Sequence, residues 1–158
     1  MKETLLTVLE NTRLADGIYR LRLAGDTSAI TAPGQFVNLK LSGFFLRRPI
    51  SVCDWENGEV TLIYKVLGHG TEAMTGMAAG TALDVLTGLG NGFDLSRSGE
   101  HPLLVGGGVG IPPLYGLAKR LTAQGKRVTA VLGFNRKSEI FLAEEFRALG
   151  AEVVIATA

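Results

Sequence analysis

Gly106-Gly107-Gly108-Val109-Gly110 separates the apolar run Leu103–Val105 from a helical pattern that opens on Ile111-Pro112-Pro113. A strand–glycine–helix turn brings backbone N–H groups against a phosphate, and glycine removes the Cβ that would keep a ligand away. The run does not spell G-x-G-x-x-G. From Gly106 the sixth position is Ile111, and from Gly108 it is Pro113. The usual dinucleotide fingerprint is therefore absent. Glycines that merely allow tight packing of the turn would also explain the run, but its density favours ligand approach.

A second constellation lies upstream. Arg47-Arg48-Pro49-Ile50-Ser51 enters one strand, and Ile63-Tyr64-Lys65-Val66-Leu67 leads another into Gly68-His69-Gly70-Thr71. Gly70 and Thr71 offer N–H and hydroxyl donors to a pyrophosphate at a helix start. Arg48 is the matching cation, and Ser51 can hydrogen-bond a polar ring atom. The plainer reading of Arg47-Arg48 is a solvated edge, and His69 reads as an exposed turn residue. Cys53 is the only cysteine, so it forms no internal disulfide and no thiolate metal site.

The elements needed to position these residues are of two kinds. Residues 1–98 read as six short strands: Glu3–Glu10, Gly17–Ala24, Gln35–Leu41, Ile50–Glu56, Val60–Val66 and Ala82–Leu86. In the second, Tyr19, Leu21 and Leu23 face inward and Arg20 and Arg22 outward. Asp16-Gly17, Pro33-Gly34 and Asn57-Gly58 are turn signals, and Asn57-Gly58 is a hairpin signal. This predicts a small antiparallel β-barrel with one helix, Thr71–Ala79, capped by Thr71.

Residues 99–158 change period. Strands Pro102–Val105, Val128–Gly133 and Val153–Ala156 alternate with helices Pro112–Gln124 and Glu139–Leu149, the second capped by Ser138. That is the β-α-β-α-β order of a parallel sheet. Doubly wound nucleotide domains carry more strands, so the second unit reads as incomplete, with an apolar face uncovered, and the chain as C-terminally truncated, the alternative being a short domain completed by a partner.

Composition narrows the function. Net charge is +1 with aromatics at 7%, which leaves no basic, aromatic-rich surface for nucleic acid. No apolar run has signal-peptide or membrane-span character, so the default compartment is the cytoplasm.

Taken in order, Arg48-Pro49-Ile50-Ser51, Gly70-Thr71 and Gly106–Pro113 resemble the ferredoxin–NADP reductase superfamily. Within it, Gly90-Asn91-Gly92-Phe93-Asp94-Leu95 and Val131-Leu132-Gly133-Phe134 resemble the electron-transfer subunits of type 1B dihydroorotate dehydrogenases. The resemblance implies an FAD barrel over 1–98 and an NAD-binding α/β unit over 99–158. Arg48, Pro49, Ile50 and Ser51 would line FAD, while Ile63, Tyr64 and Lys65 would hold the flavin and its phosphate side. Gly70 and Thr71 would take the pyrophosphate. Gly107, Gly108, Gly110 and Pro112 would shape the NAD site. Many superfamily members place tyrosine where Ile50 stands. No side chain is assigned acid–base catalysis or a metal.

The implied activity is electron transfer in pyrimidine biosynthesis, from dihydroorotate oxidised by an FMN-containing catalytic subunit, through a [2Fe–2S] centre, to FAD and then NAD⁺. The ligands of that centre form a cysteine cluster near the family's C-terminus, and this chain has none. NAD is expected over NADP, with Arg136 and Lys137 read as solvated loop charges. The alternatives are a reductase subunit of a hydrogenase or of a ferredoxin:NADP oxidoreductase, or a flavin-free binding module of the same fold.

Overall fold

Strand β1 (Lys2–Ala15) is long enough to pair twice, and that closes the first unit. Its first half lies against β6 (Ala82–Leu89) and its second against β2 (Ile18–Ala24), with register shifts at Val8/Glu10 and Arg13/Ala15. In the computed structural model, which describes residues 1–158, the barrel closes in the order β1-β2-β5-β4-β3-β6. Its remaining strands are β3 (Phe36–Leu39), β4 (Arg48–Glu56) and β5 (Glu59–Lys65). Closure leaves no sheet edge to pair wrongly. The turn between β4 and β5 is Asn57-Gly58, with φ of 52° and 77°, as a two-residue type I′ hairpin requires.

Strand alternation sorts side chains between two cores. Leu21, Leu23, Val52, Leu62 and Tyr64 point into the barrel. Their neighbours Ile18, Cys53 and Ile63 point out of it, yet they are buried by the second unit. The barrel wall is thus apolar on both faces where the two units meet, as the apolar pairs Val52-Cys53 and Leu62-Ile63 show.

The second unit has parallel strands β7 (Leu103–Gly107), β8 (Thr129–Phe134) and β9 (Glu152–Thr157) in the order β7-β8-β9. Helix α2 (Pro112–Ala123) begins on Pro112, whose missing N–H costs nothing in a first turn. It packs on β4 at Gly116, where a Cβ would stand 2.8 Å from the Cys53 carbonyl oxygen. Around that contact Lys119 pairs with Asp54 at 2.8 Å and Glu56 at 3.3 Å, and the Arg120 guanidinium lies 3.5 Å from the Trp55 ring centroid. The far face of the sheet is uncovered. Val105, Val131 and Val154 stand in register across it, with Val105 and Val154 exposed.

Two helices differ from expectation. Helix α1 (His69–Met74) starts before Thr71 and ends before Ala79. Gly68 sits at its N-cap with φ 110°, while the Thr71 hydroxyl accepts from the Leu67 N–H at 2.7 Å and donates to the Gly68 carbonyl. Helix α3 (Ala143–Ala148) is shorter than Glu139–Leu149, and Ser138 does not cap it. The Ser138 carbonyl instead accepts from the Asp16 N–H of the β1–β2 turn at 3.1 Å. Phe141 is drawn into the core edge-on to Phe134, 5.6 Å between centroids. Tertiary packing overrides local helix preference here.

The outer barrel wall carries a charge network that makes stability pH-dependent. Glu10 pairs with Arg20 at 2.7 Å and Arg22 at 3.1 Å. Hydrogen bonds from Arg20, then Thr12 and Arg22, pull its carboxyl from 4.5 to about 2. A depressed folded value stabilises fully above the unfolded value and is lost as pH falls through the folded one. Thermal melts should therefore show wild type losing stability more steeply than Glu10→Gln as pH drops from 4.5 to about 2. Parallel curves would refute the assignment.

Candidate functional site

The Asn57-Gly58 hairpin sets the register Val52↔Leu62, so residues 49–51 of β4 lie beside residues 63–65 of β5. Pro49, Ile50, Ser51, Ile63, Tyr64 and Lys65 thereby line one cleft of about 250 Å³, with Leu67, Thr71 and Val109 completing it. Six of the residues singled out in the sequence meet here through strand pairing alone, and Thr71 joins them from α1.

Arg47 and Arg48 separate sharply. Arg47 is structural: it pairs with Asp84 at 3.0 Å and Glu3 at 2.8 Å and donates to the Asn38 carbonyl. It is not a solvated edge residue. Arg48 has no carboxylate partner. Its guanidinium donates to the Leu46 carbonyl, lies 5.1 Å from the Phe44 ring centroid and rests on Gly70. Any Cβ at position 70 would overlap that guanidinium. An arginine cushioned on an aromatic ring and a glycine, with charge left unpaired, is chemically able to pair with an anion.

Tyr64 is buried, and its ring stacks on Tyr19 at 5.7 Å. Its hydroxyl donates to Asn11 Oδ1 at 2.9 Å, and Asn11 Nδ2 donates to the carbonyls of Met74 and Met77. Burial pushes the Tyr64 phenol up to about 12. Its side chain therefore anchors the end of α1 to the barrel, and that in turn holds Gly70 and Thr71 in place.

A second, larger cleft of about 660 Å³ opens at the C-terminal ends of the parallel strands, where open α/β sheets bind ligands. Gly107 and Gly108 from the glycine run line it, opposite Gly133, Phe134 and Asn135. Lys65, Leu67 and Val109 line both clefts, so the two are continuous. Gly110 and Pro112 do not line it, and Pro112, the first residue of α2, is buried. The glycines divide by cause. At Gly106 a Cβ would crowd Leu114 Cδ1 at 2.7 Å and the Gly110 carbonyl oxygen at 3.2 Å, and Gly108 has φ 52°, so packing and backbone favour glycine at both. At Gly107 the nearest atom is 3.7 Å away and at Gly110 there is none within reach, so nothing in the protein demands glycine there.

Sequence reasoning missed Leu67, Val109, Asn135, Glu139 and Thr157. Asn135 and Thr157 follow from the rule that parallel strands present ligands at their C-terminal ends. The exposed Leu67 and Val109 carry no such signal. Cys53 is buried, which pushes its thiol upward and leaves it unreactive. No three His, Cys, Asp or Glu side chains converge to hold a metal.

Known proteins share this arrangement. The electron transfer subunit of dihydroorotate dehydrogenase B (NAD(+)) from Bacillus pumilus is 46% identical over 165 residues, covering 99% of this chain and 64% of that protein. The whole chain is homologous to these electron-transfer subunits. It spans under two thirds of the length of this curated relative. No family model matches it. The solved NADH-dependent reduced ferredoxin–NADP oxidoreductase, described for flavin-based electron bifurcation, superposes with TM-score 0.87 at 30% identity, over 98% of this chain and 57% of that one. An Amycolatopsis cytochrome P450 reductase superposes equally well, TM-score 0.87, at 24% identity over 98% of this chain and 51% of that one, which speaks for the fold alone. The barrel and parallel sheet of this chain thus match the ferredoxin–NADP reductase-like fold, as the motifs imply.

Proposed function

We propose that this chain is the FAD-carrying electron-transfer subunit of an NAD-linked dihydroorotate dehydrogenase. The observation that carries the reading is the unpaired Arg48 guanidinium on Gly70, at the start of a β4–β5 wall that runs into the glycine-lined cleft. The residues fit FAD. Arg48 would pair with a flavin phosphate, with Gly70 and Thr71 at the pyrophosphate. Pro49, Ile50 and Ser51 would line the ring, and the Ser51 hydroxyl would hydrogen-bond its polar edge. Ile63 and Lys65 would form the opposite wall, with Tyr64 supporting it from the barrel. Helix α1 has six residues, so the charge at this end comes from Arg48 more than from a helix dipole. Bound FAD would supply the exchange of electrons between one- and two-electron carriers.

Residues 1–98 form the FAD unit in this reading and 99–158 the NAD unit. Gly107 and Gly108 would admit the dinucleotide, with Gly110 and Pro112 shaping the turn behind it. The apolar walls of the shared cleft would exclude water from the transfer. Dihydroorotate is oxidised on a separate FMN-containing catalytic subunit, in a cytoplasmic hetero-oligomer of the pyrimidine pathway. NAD⁺ gains the hydride. Cys53 alone cannot ligate a [2Fe–2S] centre, and no other thiol is present, so these residues do not hold that group. The 46% identity to the dihydroorotate dehydrogenase subunit favours this reading over a ferredoxin:NADP oxidoreductase, at 30%.

Purified protein incubated with FAD should retain it through gel filtration and show flavin absorbance that NADH bleaches anaerobically. A colourless product would instead support a flavin-free module. Gly107→Ala separates ligand approach from packing. Its Cβ meets only an ordinary 3.7 Å contact, so folding should be unchanged. Crowding of the bound dinucleotide, at about 1–3 kcal/mol, should weaken NADH binding roughly 5- to 150-fold. Unaltered reduction by NADH in this variant would argue that the run serves the turn alone.

A further inference from the structure

A third cleft lies on the seam between the two units, away from the flavin wall and the glycine run. Strand pairing sets Arg20 and Arg22 of β2 beside Ile63 and Thr61 of β5 on the outer face of the barrel. Helices α2 and α3 bring Tyr115 and Glu145 against that face and close a cleft of about 320 Å³, with Cys53, Ile63 and Leu142 as its apolar wall. That volume suits a small molecule, and seams between units are frequent ligand sites. We propose that this cleft binds a free apolar α-amino acid, its carboxylate on Arg20 and Tyr115, its ammonium on Glu145 and its side chain on the apolar wall.

Most charges around the cleft already have partners. Arg22 pairs with Glu10 and Glu59, while Asp54 pairs with Lys119 and accepts from the Trp55 N–H. Arg20 pairs with Glu10 through a terminal nitrogen, but its Nε is buried and has no partner. A buried donor left without an acceptor costs about 1–3 kcal/mol, so an acceptor brought by a ligand would be favoured there. Glu145 makes no ion pair, and the hydroxyls of Thr61 and Tyr115 make no hydrogen bond within the protein. Burial first, and Asp54 next, raise the Tyr115 phenol, which therefore stays protonated and able to donate. Its ring is fixed edge-on to Phe146, 5.5 Å between centroids. Leu142 in the apolar wall is held at φ 65°, which leucine rarely adopts, and strain of this kind collects at ligand sites. One unmatched cationic donor and one unmatched carboxylate in the same cleft select a zwitterion. A simple anion would be repelled by Glu145 and Asp54, and a simple cation by Arg20 and Arg22. Arg20 belongs to the barrel and Glu145 to the second unit, so the occupant would bridge the two and stabilise them together.

Calorimetric titration of the purified chain with L-leucine, L-valine and L-methionine, alongside thermal melts, tests this. At least one should bind and raise the melting temperature. 4-Methylpentanoate, which lacks the ammonium, and 3-methylbutylamine, which lacks the carboxylate, should bind at least about tenfold more weakly than the tightest of the three. Glu145→Gln should melt as wild type does without ligand, because its carboxylate has no partner in the protein. It should bind that amino acid roughly 10- to 150-fold more weakly, the scale of one charged hydrogen bond. Tyr115→Phe keeps the ring against Phe146 and should lose about 2- to 12-fold. Glu139→Gln removes a carboxylate from the larger cleft and should leave amino-acid affinity as it is. No binding of any of the three, equal binding of either one-charge analogue, undiminished affinity in Glu145→Gln, or an equal loss in Glu139→Gln would overturn the proposal. Each of these results leaves the FAD reading as it stands.

Discussion

Arg48→Ala is expected to leave a folded barrel that has lost most of its hold on FAD. Arg48 makes no ion pair and only a backbone hydrogen bond to Leu46, so little native stability depends on it. A charged hydrogen bond to phosphate contributes roughly 1.5–3 kcal/mol, so the dissociation constant for FAD should rise about 10- to 150-fold. Arg48→Lys should recover only part of this, because a lysine ammonium neither stacks on Phe44 nor presents a planar fork. Gly70→Ala should imitate Arg48→Ala from the other side. Its new methyl takes the space of the guanidinium and turns that flexible group away. Flavin fluorescence titration measures all three. If Arg48→Ala binds FAD as wild type does while melting at the same temperature, Arg48 is not the phosphate ligand.

Gly116→Ala should loosen the second unit from the barrel. Its Cβ would stand 2.8 Å from the Cys53 carbonyl oxygen, a backbone atom in the middle of β4 that cannot swing aside. Helix α2 must back away, and overpacking of this kind costs about 1–3 kcal/mol. The retreat also disturbs Arg120 over Trp55 and Lys119 on Asp54, so the loss reaches the cleft that Val109 joins to the barrel. Urea unfolding should show a lower midpoint. FAD-loaded protein should be reduced more slowly by NADH while FAD affinity, which depends on the barrel, holds. Lys119→Met is the contrast. Its ion pair is partly exposed, and such pairs contribute at most about 1 kcal/mol, so its midpoint should barely move. Equal stability of Gly116→Ala and wild type would mean that α2 does not seat on β4 so closely.

Local chemistry in the sequence was enough for the two architectures. Alternation in Ile18–Ala24, the Asn57-Gly58 turn and the proline-led start of α2 are each decided within a few residues, and the structure has all three. The ordered motifs from Arg48 to Pro113 also carried the family likeness that the relatives bear out. Contacts between distant residues decided the rest. Nothing local distinguishes Arg47 from Arg48. Only closure of the barrel brings Asp84 and Glu3 to the first and leaves the second free on Gly70. The Thr71 and Ser138 caps failed because the Thr71 hydroxyl bridges Leu67 and Gly68, while the Ser138 carbonyl is taken by a barrel turn more than a hundred residues upstream. The glycine run looked uniform as a string. Folding separates Gly106, which α2 presses against, from Gly107, which faces open cleft, because packing neighbours are a property of the assembled chain and not of the local sequence.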